Sequence, residues 1–171
     1  MAALPTSSPD PAGPTTSPGD AGAEPIDPRL AFRSALARYQ GARLGAIIRL
    51  RNLESDAVRP SGLAADLTAQ LDSPSGVAEL LVGLSDGSRQ ALGLLALTET
   101  SVWPLVGMTY ALATLGVGPR SAILDLLERG LLALDAPADL QPIDDFNARI
   151  GLFPPNSLLL RAHPSVPQAV R

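Results

Sequence analysis

Residues 119–135 read PRSAILDLLERGLLALD, and the fold turns on how this run is parsed. Pro119 suits the first turn of a helix, where its missing N–H removes nothing the helix would use. Ile123, Leu124 and Leu127 fall on one side of a 3.6-residue repeat. Gly130 stands just beyond the helix, at the cap position where left-handed backbone turns the chain back. Leu132 and Leu134 then alternate with the period of a strand. The run predicts a helix, a glycine cap and a strand that leaves from it.

Working upstream, Gly116-Val117-Gly118 is a turn, and a helix from Pro104 to about Leu115 precedes it. Ser101 to Trp103 is a short extended piece. GSRQALGLLALT (87–98) is a helix with Leu92, Leu95 and Ala96 inward, entered through Leu84-Ser85-Asp86 as apolar staple and cap. Ser73-Pro74 opens another helix through Val77, Leu80 and Leu81, stopped by Gly83. Trp103 and Tyr110 read as core side chains. Downstream, the loop APADLQPIDDFN (136–147) leads to ARIGLF (148–153), expected to pair back on the first strand as a small wing. Residues 154–171 follow Pro154-Pro155 as an expected flexible tail. His163 lies in it before Pro164, with no neighbouring acid in sequence, and reads as a surface histidine.

Residues 100–119, TSVWPLVGMTYALATLGVGP, carry no charge. Pro104 and the glycines at 116 and 118 leave a continuous helix of only ~17 Å, against a bilayer core of ~30 Å. The stretch therefore reads as a buried helix. Residues 1–27 are proline-rich, acidic and free of arginine, a composition that cannot bury enough surface to offset chain entropy, and are expected to be disordered. They hold no basic n-region or apolar h-region of a signal peptide, so a cytoplasmic location is expected. Order is expected to start at Asp27-Pro28. A first module, 28–72, then holds a helix to about Gln40, a second in ARLGAIIRLR (42–51) and a third in SGLAADLTAQL (61–71). A second module spans 74–153.

The order helix, strand, helix, turn, helix, strand, loop, strand resembles a winged helix-turn-helix. LGAIIRLRNL and RPSGLAADLTAQL resemble a SAP-like helical hairpin, with Asn52 where such motifs carry glycine and Arg59-Pro60 in place of their basic turn. The expected fold is thus mainly α, a SAP-like hairpin followed by a winged helix with a small two-stranded β wing. Together the modules resemble, over roughly residues 28–160, the N-terminal region of bacterial XPB-type helicases. The resemblance implies an accessory, helicase-associated piece without the motor.

Composition narrows the chemistry. The chain has 13 arginines, no lysine, no cysteine and one histidine. That excludes a P-loop lysine, a Schiff-base amine, a cysteine nucleophile and thiolate or multi-histidine metal sites. Asp144-Asp145 are adjacent on a loop, so their carboxylates diverge. No catalytic residue, metal or cofactor is expected. Charge is unevenly placed: residues 1–28 carry −4, residues 29–59 carry +5 and residues 60–171 carry −5. Guanidinium forks suit phosphate oxygens, so the expected function is a DNA-binding accessory module gripping double-stranded DNA. Its candidate contacts are Arg43, Arg49, Arg51, Arg59 and, on the presumed recognition helix, Arg120. Arg51 falls on the apolar side near its helix end and has a second reading, snorkelling or complementing the carbonyl dipole. The alternative function is a protein-interaction module, because the recognition helix is neutral and the wing loop, with Asp135, Asp139, Asp144 and Asp145, is acidic. Its partner would be a helicase or another larger protein.

Overall fold

Proline and short polar side chains set the helix starts. Four helices open on proline: Pro28–Ala37 (α1), Pro60–Leu71 (α3), Pro74–Leu81 (α4) and Pro119–Glu128 (α7). Asp27 caps the first through its Oδ1, which accepts from the Arg29 N–H at 2.9 Å. Ser85 caps Asp86–Leu97 (α5), its Oγ accepting from the Ser88 N–H at 3.1 Å. The other elements are Gly41–Leu50 (α2), Val102–Pro104 (β1), Leu105–Thr114 (α6), Leu132–Asp135 (β2), Leu159–Ala162 (β3) and Ser165–Val170 (α8). The computed structural model describes residues 26–135 and 158–170. The leader up to Pro25, the loop with Asp139, Asp144 and Asp145, and the strand expected at 148–153 lie outside the described residues.

The chain is mainly helical, with one three-stranded antiparallel sheet ordered β1-β3-β2 among the described residues. The sheet has three described strands where a two-stranded wing was expected. The strand facing β2 is Leu159–Ala162, with Leu132 opposite Ala162 and Leu134 opposite Leu160. On its other side β3 pairs with β1, Trp103 opposite Leu160. Residues 158–170 are accordingly no flexible tail. Leu158, Leu160, Ala162, His163 and Val166 are all buried, and β3 is the centre of the sheet. Burial on both faces explains why β2 shows no clean polar alternation. On the side of β2 away from β3, the Leu134 N–H donates to the Tyr39 hydroxyl at 2.7 Å.

The apolar core does not divide at residue 73. Phe32, Leu36, Leu44, Ile47, Leu67 and Leu71 from the first three helices belong to the same buried cluster as Leu92, Leu95, Met108, Ile123 and Leu127. Two positive-φ residues are legible in the sequence: Gly130 at +63° ends α7, and Asn52 at +51° ends α2. Tyr110, expected in the core, is 68% exposed because α6 turns it outward. Among the described residues no helix is long and apolar enough to cross a membrane.

Candidate functional site

The arginines of residues 29–59 meet three fates. Arg29 and Arg38 are held by acids, Arg29 by Asp72 at 3.1 Å and Arg38 by Asp135. The Asp135 carboxylate also accepts from Arg161 Nε at 2.6 Å, so one acid at the end of β2 ties α1 to β3.

Arg51 has turned inward. It is 6% exposed. Its Nε donates to the Arg129 carbonyl at 2.7 Å and Nη2 to the Gly130 carbonyl at 2.6 Å. Nη1 donates to the Leu67 carbonyl at 3.1 Å and Gln70 Oε1 at 3.3 Å. The guanidinium thus ties the carbonyls that follow α7 to the last turns of α3. Burial pushes it down from the usual arginine value to about 10, still charged at neutral pH. Arg51 is therefore removed from the phosphate-contacting set. Its fork is engaged by three backbone carbonyls and the Gln70 side chain, just past α7 and on α3 rather than at the end of its own helix.

The remaining candidates stay at or near the surface. Arg43 lies half-buried with its guanidinium 5.1 Å over the Tyr39 ring. Arg49 is exposed on the same helix, six residues and so about 120° further round. Arg59 is exposed at the N-cap of α3, and Arg120 is exposed in the first turn of α7. Further along α7, Asp125 is neutralised by its neighbours. Asp125 accepts from Ser88 Oγ and from Arg129 Nε, both at 2.7 Å. Burial raises this carboxyl, but those two hydrogen bonds and the Arg129 charge outweigh it and hold it below the usual aspartate value.

His163 is fully buried, which corrects its reading as a surface residue. Its ring meets Phe32 edge-on, centroids 5.6 Å apart. Nδ1 lies 2.7 Å from Ser165 Oγ, and Nε2 lies 3.5 Å from Asp72 Oδ1 without a hydrogen bond. Asp72, His163 and Ser165 have the makings of a hydrolytic triad. The directions are wrong for one, because Ser165 Oγ donates its proton to the Leu71 carbonyl at 2.6 Å. Nδ1–H must then donate to Oγ, and the imidazole cannot act as base toward that hydroxyl. The trio is a clamp fastening α8 to the end of α3. Nothing in the local sequence AHPS signals it, since its partners lie on a helix far earlier in the chain.

The clamp makes stability depend on pH. Burial lowers the His163 pKa, Asp72 opposes this in part, and Arg29 and Arg51 reinforce it. Below about pH 6.5 the unfolded chain takes up a proton that the folded one resists, so stability falls with acidification. We expect His163→Asn to remove a slope of up to about 1.4 kcal/mol per pH unit, measured by urea unfolding at about pH 7.5 and about pH 5.5.

Two open apolar grooves remain. One, about 370 Å³, is lined by Ala78, Leu81, Val82, Leu84, Leu92 and Val170 with Arg89 at its rim. The other, about 400 Å³, lies between α2 and α7. Among the described residues no three metal-ligating side chains come together. Compared with known proteins, the chain matches no family model, no curated protein and no solved structure.

Proposed function

We propose that this chain is a non-catalytic protein-interaction module. The observation that carries the reading is the prior engagement of arginine: of the seven in residues 29–59, Arg51 is buried on backbone carbonyls and Arg29 and Arg38, though exposed, are paired with Asp72 and Asp135, which leaves Arg33, Arg43, Arg49 and Arg59 to face a phosphate backbone. The groove between α4, α5 and α8 suits an amphipathic acidic segment of a partner. Val82 stands there 73% exposed, and Arg89 is the one charged side chain among the described residues that line it. A winged-helix architecture is part of the proposal. It is supported by α5, α6 and α7 preceding a sheet ordered β1-β3-β2, in which β1 falls between α5 and α6. On the helicase resemblance alone, the larger partner would be a nucleic-acid motor.

A second reading, duplex-DNA binding, is favoured by Arg49 and Arg59, which are exposed and carry no ion pair among the described residues. Fluorescence anisotropy with a labelled duplex over a salt series separates the two. We expect no affinity at moderate salt, because the exposed arginines belong to a chain of net charge −4. Binding that weakens steeply with salt and is lost in R49E/R59E would overturn the docking proposal and establish the DNA one.

A further inference from the structure

The groove between α2 and α7 differs from its neighbour in charge. Its α2 bank is Arg43, Ala46, Ile47 and Leu50, a row at i, i+3, i+4 and i+7. Its α7 bank is Leu124 and Glu128, one turn apart. Leu50 is 58% exposed and Ala46 is also open to water. α2 reaches the end of α7 at Gly130, whose carbonyl accepts from Arg51 Nη2 and which has Ile47 close by. The groove between the two helices is open. One bank carries a cation, the other an anion, and no ion pair joins Arg43 to Glu128 or either to any other acid or base among the described residues.

An apolar strip with opposite charges on its two banks is complementary to itself. A twofold axis running along the groove sets the α2 bank of each copy over the α7 bank of the other. Both Arg43 side chains then meet the other copy's Glu128, and the two Leu50 side chains leave water together. A partner of uniform charge would satisfy one bank and oppose the other. We propose that the α2–α7 face is an isologous dimer interface occupied by a second copy of this chain, independent of what the module docks on elsewhere.

The test uses the whole chain in sedimentation velocity from micromolar to millimolar concentration. The wild type is expected to show a monomer–dimer equilibrium. R43E places two like-charge contacts in the symmetric dimer, and so does E128R; each alone should weaken dimerisation about 100-fold. Mixing R43E with E128R restores opposite charges at both contacts, and a mixed dimer should form where neither variant dimerises alone. Circular dichroism on both variants establishes that each is folded, and R49E, on the far flank of α2, should dimerise as wild type. A wild type that stays monomeric throughout overturns the proposal. So does a dimer insensitive to both reversals, or the absence of a mixed dimer from two folded variants.

Discussion

Arg51→Met will lower the free energy of unfolding by about 3–5 kcal/mol, the range seen when one side of a buried charged network is removed. Methionine nearly matches the length of the arginine stem and keeps its packing, so the loss isolates the guanidinium. Four acceptors lose their donor together: the carbonyls of Arg129, Gly130 and Leu67 and the Gln70 side chain. Those carbonyls belong to two helix ends that nothing else on α2 can reach. Arg51→Lys should recover only part of the loss, since an ammonium is a point donor and cannot spread over α7 and α3 simultaneously. Equilibrium urea unfolding of the three proteins at neutral pH checks this order. An R51M protein within about 1 kcal/mol of wild type, near the scale of an ordinary surface change, would mean that water replaces the fork and that the site is less closed than it stands.

The same residue shows where sequence reading succeeds and where it stops. Its position on the apolar side of α2, near the helix end, is visible from periodicity alone, and a dipole-complementing role follows from that position. Its destination is not visible, because the Arg129 and Gly130 carbonyls lie in another part of the chain and only the tertiary fold brings them to α2. Helix starts were legible at Pro28, Pro60, Pro74, Pro119 and Ser85 because caps are local chemistry. The left-handed turns at Gly130 and Asn52 were legible for the same reason. Strand β3 was not. The run LLLRAH carries no turn signal tying it to a partner, its pairings with β1 and β2 are both distant in sequence, and the proline pair before it looks like an end. Of the candidate contacts, Arg51 was misjudged in the same way. A charge count locates cations along a chain, but whether Arg29 finds Asp72, or Arg38 finds Asp135, depends on which helices the core brings together.

Gly76→Ala should be the most damaging single-methyl addition in the protein. Gly76 is buried in the first turn of α4, directly after the tight turn that leaves α3. A Cβ there would run into the carbonyl oxygen of Gln70 and press on its side chain. Backbone in a two-residue connection between helices cannot retreat without moving one of them. The carbonyl is also in use, accepting from the Ser73 N–H at 3.3 Å. Displacing Gln70 reaches Arg51 too, because Gln70 Oε1 accepts from Arg51 Nη1. The expected cost is about 3 kcal/mol, at the upper end for overpacking. It should be less than additive with R51M, since both changes loosen the same end of α3. The opposite sign is expected at Gly93. That residue lies inside α5, where an added Cβ meets nothing within 4 Å. There alanine should stabilise by about 0.5–1 kcal/mol through helix propensity alone. Thermal and urea unfolding of G76A, G93A and G76A/R51M decide it: equal effects of the two alanines would refute the close α3–α4 approach, and full additivity would refute its coupling to the Arg51 fork.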